Sequence, residues 1–148
     1  LTNEVVSALL PLEKKYGVTL ENTLPNNGPN VLADRDQLNQ VLVNLLDNAM
    51  KYGSDGKVVE VSAAPADQRY PEMVGIRIVD RGVGIDPKHL DRLTERFYRV
   101  NATQSRNKGG TGLGLAIVKH IINRHAGELQ IESTLGEGSQ FTVWLPEI

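Results

Sequence analysis

The chain has 148 residues, 40% of them apolar, with a formal net charge of −2 and no cysteine. That length suits one domain with its own core, and the charge excludes a surface built as a whole to attract nucleic acid or anionic lipid. The missing cysteines exclude disulfides and thiol chemistry, a pattern compatible with a reducing compartment. No apolar run approaches the ~20 residues of a membrane span, and no signal-like segment opens the chain. It starts without methionine inside a helical pattern, so residues 1–148 read as one domain excised from a longer protein, whose membrane anchor could lie elsewhere.

Val5, Val6, Leu9, Leu10 and Leu12 predict an opening helix over 2–14 despite Pro11, ended by Tyr16 and Gly17. VTLENTL at 18–24 alternates as a strand, 25–30 has turn composition, and 30–33 reads as a short strand leading to Asp34. Asp34 is placed to cap the clearest element, a helix over 35–52. There Leu38, Val41, Leu42, Leu45, Leu46 and Ala49 make an apolar stripe, and Asn44, Asn48, Lys51 and Tyr52 run along an adjacent edge. After a turn at 54–56 come two strands, Val59 to Ala63 and Val74 to Ile78, the second delivering Asp80 before a glycine turn. Pro87 starts a short helix, 98–112 reads as a mobile basic loop, and 113–127 is an amphipathic helix closed by Gly127. Strands from Leu129 to Thr134 and from Ser139 to Leu145 surround a turn at 136–138. The order fits one mixed sheet covered by helices on one face, an α/β fold without internal repeats.

Three segments carry chemistry together: NLLDNAMKY at 44–52, DRGVGID at 80–86 and GGTGLGL at 109–115. A structural helix would normally place charges, not two amides four apart, along its edge. Gly82, Gly84, Gly110, Gly112 and Gly114 allow close backbone approach to a ligand. Together the segments suggest a site for a nucleotide and its metal. Neither the dinucleotide fingerprint nor the GxxxxGK[ST] phosphate loop is present. Taken singly, Asn44 and Asn48 also fit surface amides or caps, Asp80 a turn cap, and Arg99, Arg106 and Lys108 a solvated loop. His89, His120 and His125 are expected to be surface or packing residues, since no zinc-binding spacing surrounds them.

The chain resembles the ATP-binding catalytic domain of bacterial sensor histidine kinases, within the group that includes gyrase-, Hsp90- and MutL-type ATPases. NLLDNAMKYG is similar to the N box, DRGVGID to the first glycine box, ERFYRV to the F box and GGTGLGLAIVKHI to the second glycine box. GELQIESTLGEGSQFTVWLP resembles the closing hairpin, and the wording of ERFYRV and GGTGLGLAIVKHI is most like phosphate-responsive sensors. The resemblance implies a two-layer α/β sandwich of the Bergerat type, a mixed, mostly antiparallel sheet with three main helices on one face. ATP would lie between the N-box helix and a lid running from Phe97 to Leu113.

In that resemblance Asn48 and Asn44 hold Mg²⁺, Lys51 approaches phosphate, Tyr52 packs beside the purine, and Asp80 accepts from the adenine amine. Gly82, Gly84 and Ile85 border the base. Gly110, Thr111, Gly112, Leu113, Gly114 and Leu115 surround the phosphates, and Arg99, Arg106 and Lys108 supply charge. Phe97 and Tyr98 anchor the lid. Asn44, Asn48, Lys51 and Arg99 are the expected catalytic set. The related ATPases place a glutamate at the first N-box position, where it activates water; Asn44 cannot act as that base. The expected reaction is therefore transfer of the γ-phosphate to a histidine on a separate dimeric helical phosphoacceptor domain, which passes it to a response regulator. No nucleic-acid or direct membrane contact is implied for this domain, which would be the cytoplasmic part of a parent anchored in the bacterial inner membrane. The alternatives are an ATP-hydrolysing conformational switch of the gyrase or MutL type and a regulatory protein-binding module without catalysis.

Overall fold

The computed structural model describes residues 1–25, 28–53, 57–96 and 114–148. Its helices are α1 (Thr2–Leu9), α2 (Leu12–Tyr16), α3 (Arg35–Tyr52), α4 (Pro87–Leu90) and α5 (Gly114–Arg124). Its strands are β1 (Thr19–Asn22), β2 (Val58–Ala64), β3 (Met73–Asp80), β4 (Glu128–Thr134) and β5 (Gly138–Pro146). They form one sheet in the order β1-β2-β3-β5-β4. β1 runs parallel to β2 and the other pairs are antiparallel. The sheet is thus mixed and mostly antiparallel, with the main helices packed on one face.

Side chains alternate between the two faces of the sheet, and β5 is buried on both. Val59 and Val61, Ile76 and Ile78, and Phe141, Val143 and Leu145 point to the helix side. They meet Val41, Leu42, Leu45, Leu46, Ala49 and Met50 of α3, and Val118, Ile121 and Ile122 of α5. Val5 and Val6 of α1 and Leu20 of β1 complete this core. Each such side chain, taken from water, contributes about 1.5–3 kcal/mol before the entropy of ordering it. On the opposite face Trp144 is buried beneath Tyr70, ring centroids 4.8 Å apart, and its indole N–H donates to Gln130.

α3 matches its sequence expectation because its signals are local. The Asp34 carboxylate accepts from the Gln37 N–H at 3.0 Å, a cap of about 1 kcal/mol. A second tie holds the start of α3 to the end of α5. The Asp34 N–H donates to His125 Nε2 at 3.0 Å. His125 Nδ1 must then carry the ring proton, which it gives to the Ile121 carbonyl at 2.8 Å. His125 is therefore a packing residue that ties α3 to α5.

Three expectations change. The opening helix is two helices, α1 and α2, because Pro11 has no N–H to continue the ladder. The strand expected at 30–33 is a single bridge between Val31 and Glu147, with Leu32 86% exposed. The last helix ends at Arg124, and the left-handed residue that closes it is Ala126, at φ 57, not Gly127. Gly127 is small for another reason: a Cβ there would run into the Trp144 carbonyl oxygen. The turn expected at 54–56 and the loop expected at 98–112 lie outside the described residues.

Candidate functional site

The apolar stripe of α3 faces the sheet, which leaves the edge with Asn44, Asn48 and Lys51 only partly covered. Asn44 and Asn48 are half-buried, and among the described residues neither side-chain amide has a hydrogen-bond partner. Lys51 is engaged differently. Its ammonium lies 2.8 Å from the Asp47 carboxylate, one turn back, and the Tyr16 hydroxyl donates to the other Asp47 oxygen at 3.3 Å. Burial works against the Lys51 charge, but the hydrogen bond and charge of Asp47 outweigh it, so its pKa stands above the usual lysine value. Tyr52 is half-buried in the last turn.

Asp80 follows Ile76 and Ile78 at strand period, so its side chain points to the helix side where an apolar residue would be the rule. It is 8% exposed. Burial pushes its carboxyl pKa up, and hydrogen bonds from the N–H groups of Gly82 and Ser139 pull it only part of the way back. The Gly82 N–H reaches Asp80 Oδ1 at 3.0 Å.

Two glycines from separate segments make that placement possible. A Cβ at Gly53, the residue after α3, would collide with the Asp80 side chain. A Cβ at Gly82 would stand 2.7 Å from the Gly53 Cα. The end of α3 and the first glycine turn therefore close on one buried carboxyl. Gly84, at φ 75, presses against the Thr134 carbonyl, and Ile85 donates its N–H to Ser133 Oγ at 2.7 Å. The glycine turn is thus seated on the hairpin of β4 and β5.

At the start of α5, a Cβ at Gly114 would meet nothing among the described residues within 4 Å, while Leu115 packs against the core. Phe97, Tyr98, Arg99, Arg106, Lys108, Gly110, Thr111, Gly112 and Leu113 lie outside the described residues.

Sequence reasoning does not reach Asp47, Gly53, Ser133 and Ser139 as parts of this region. Ser133 and Ser139 carry a usable signal, since each stands two residues from an inward apolar position, Ile131 and Phe141. Asp47 carries one as well, standing four residues before Lys51 on the same helix, whereas Gly53 carries none because its partner Asp80 comes from the fold.

A metal site of the usual acidic kind is absent among the described residues, where no group of three His, Cys, Asp or Glu gathers. The donor set that does fit a cation is the pair of half-buried amide oxygens on Asn44 and Asn48. Neutral oxygens suit Mg²⁺ when a polyphosphate supplies the charge and most of the remaining ligands.

The profile of the family described as histidine kinase-, DNA gyrase B-, and HSP90-like ATPase matches residues 33–148. The chain is 46% identical over 106 residues to the phosphate regulon sensor protein PhoR of Pseudomonas aeruginosa, covering 72% of this chain and 23% of that protein. It is 42% identical over 114 residues to the sensor protein SrrB of Staphylococcus aureus, covering 77% of this chain and 19% of that one. The chain thus spans less than a quarter of either relative, and the two likenesses set no preference for the phosphate-responsive type. Among solved structures, full-length ShkA in complex with AMPPNP superposes with a TM-score of 0.80 at 27% identity, covering 99% of this chain and 29% of that one. The mycobacterial sensor histidine kinase MprB gives 0.78 at 29% identity, covering 98% and 93%. The chain belongs to the histidine kinase-, DNA gyrase B- and HSP90-like ATPases, as an ATP-binding domain related to histidine kinase catalytic domains.

Proposed function

We propose that this domain binds ATP with Mg²⁺ and presents the γ-phosphate to a histidine on a separate dimeric helical domain of a longer sensor kinase. The observation that carries the reading is one arrangement: α3 offers two amides without described partners and ends against the buried carboxyl of Asp80.

Asp80 accepts from the exocyclic amine of adenine. Guanine would present a carbonyl there, and two acceptors facing each other leave both unpaired. Asn48, with Asn44 beside it, would hold Mg²⁺ through amide oxygens, and the bound ion would supply charge neutralisation to the polyphosphate. Lys51 exchanges its Asp47 contact for a phosphate oxygen. Gly110, Thr111, Gly112, Leu113 and Gly114, with the N-terminus of α5, supply backbone donors to the triphosphate. Arg99, Arg106 and Lys108 are the further charges proposed to face it.

Asn44 takes no proton from water, so hydrolysis lacks its base. The acceptor is the imidazole of the partner domain: its nitrogen forms a bond to γ-phosphorus, the bond from phosphorus to the bridging oxygen breaks, and ADP departs. The catalysis is positioning and charge stabilisation. The parent we propose is a membrane-anchored sensor that passes phosphate to a response regulator. Its phosphate-responsive type rests on the wording of ERFYRV and GGTGLGLAIVKHI alone.

Incubating the domain with ATP, Mg²⁺ and the helical segment encoded upstream should leave acid-labile phosphate on that segment. ATP turnover by the domain alone, abolished by Asn44→Ala, would instead favour a hydrolysing switch. Calorimetry showing no binding of a non-hydrolysable ATP analogue to folded protein would leave only a protein-binding module.

A further inference from the structure

Beyond the residues already assigned, the inward face of the sheet ends in a polar row. Ser133 of β4 stands opposite Ser139 of β5, which stands opposite Asp80 of β3. The Ser133 hydroxyl is the hub of that row. It lies 2.7 Å from the Ile85 N–H, 2.9 Å from the Gly138 carbonyl and 2.8 Å from Ser139 Oγ. A hydroxyl has one proton and two lone pairs. Donation to the Gly138 carbonyl lets Ser133 accept from both the Ile85 N–H and the Ser139 hydroxyl, which uses its whole capacity.

The hub is bonded to the two segments whose backbone N–H groups hold the Asp80 carboxylate. Gly82 belongs to the turn that Ile85 closes, and Ser139 is the other partner of Ser133. A backbone bond from the Gly136 N–H to the Val83 carbonyl, at 2.8 Å, pins the same turn to the hairpin. Ser133 supplies a side-chain attachment between them. Its strand is at the edge of the sheet and its side chain is only half-buried, so removing the hydroxyl opens no core cavity.

We propose that Ser133 is a positioning residue for base recognition: its hydroxyl locks the glycine turn and the Asp80 carboxylate into one geometry. The proposal rests on the reading of Asp80 as the adenine acceptor. Ser133 touches no nucleotide itself and acts through Ile85, Gly82 and Ser139.

The test compares the parent chain with Ser133→Ala and Ser133→Thr, using calorimetry with Mg·ATP, Mg·GTP and Mg·tripolyphosphate, and amide exchange of nucleotide-free protein by NMR. Ser133→Ala should weaken ATP about fivefold to tenfold, the size of one lost hydrogen bond, and lower the ATP-to-GTP ratio by the same factor. Tripolyphosphate, which has no base, should bind unchanged. Exchange at the Ile85 amide should quicken, and Ser133→Thr should restore both readouts. An unchanged ATP-to-GTP ratio in folded Ser133→Ala overturns the proposal, as does equal weakening of tripolyphosphate. A parent chain that binds no Mg·ATP overturns the functional reading and the base-recognition role with it. Unchanged Ile85 exchange in Ser133→Ala overturns the positioning role alone.

Discussion

Two neighbouring rows on the same face of the same strands become different materials. Ile131, Phe141, Ile78 and Val61 stand side by side in register, with Phe141 and Ile78 buried among the side chains of the helical layer. One step along, the row reads Ser133, Ser139, Asp80 and Val59. Strand alternation points both rows the same way, so direction alone does not separate core from site. The difference is what covers them. The first row is covered by apolar side chains, which satisfy no polar atom. Asp80 is covered by the backbone of Gly53 and Gly82, and backbone brings N–H donors with it. A carboxylate can be buried there and still keep partners.

The sharpest way to break this contrast is to remove bulk from the apolar row. Phe141→Ala should cost about 3–5 kcal/mol of stability, read as a fall in the urea midpoint, because Phe141 is 4% exposed and its neighbours collapse only partly. Folded Phe141→Ala should still prefer ATP over GTP as the parent does; a changed preference would mean the rows are not separable.

The polar row should respond the other way. Asp80→Ala is expected to weaken ATP binding tenfold to a hundredfold, roughly 1–3 kcal/mol, with or without metal, while shifting the urea midpoint far less than Phe141→Ala. Equal affinity of the parent for ATP and GTP in calorimetry would contradict the role given to Asp80.

Asn48→Ala tests the edge of α3 against the polar row. It should abolish most of the difference in ATP affinity measured with and without Mg²⁺, again roughly 1–3 kcal/mol, and leave the metal-free affinity near that of the parent. Loss of the metal-free affinity as well would place Asn48 at the base or in the fold.

The smallest expected effect is a pH dependence. The folded-state pKa of Asp80 is raised, chiefly by burial. Its contribution to stability is therefore full below the unfolded carboxylate pKa and is lost as pH rises through the folded one. Asp80→Asn cannot ionise. The urea midpoint of the parent should fall relative to Asp80→Asn across that window, and parallel curves for the two proteins would contradict the shift.

Much of the fold and part of the site are legible in the order of residues. The stripe Leu38, Val41, Leu42, Leu45 with Asp34 before it specifies α3 because capping and helical period act over a few residues. The same is true of Asp80: two steps beyond Ile78 on a strand, it has to face inward. What stays hidden involves pairs distant in sequence. Tyr16 meets Asp47 across 31 positions, and Asp34 meets His125 across 91. The Lys51–Asp47 contact at 2.8 Å is of the other kind, an i,i+4 pair on one helix that the order of residues already allows. The break at Pro11 has a local cause, the missing N–H, so it is open to sequence reasoning in a way those pairs are not. The left-handed Ala126 is not, since an adjacent glycine offers the easier reading.

By itself the sequence determined most of the elements, their inward faces and the family of ATP-binding domains to which the chain belongs, because periodicity, caps and motif wording are encoded locally. Only the tertiary structure decided that Gly53 and Gly82 would close over Asp80, and that Ser133 would bond the two segments that carry the donors of its carboxylate. Those contacts join four separate stretches of chain. No local signal specifies a packing distance between them; strand register and helix placement set it.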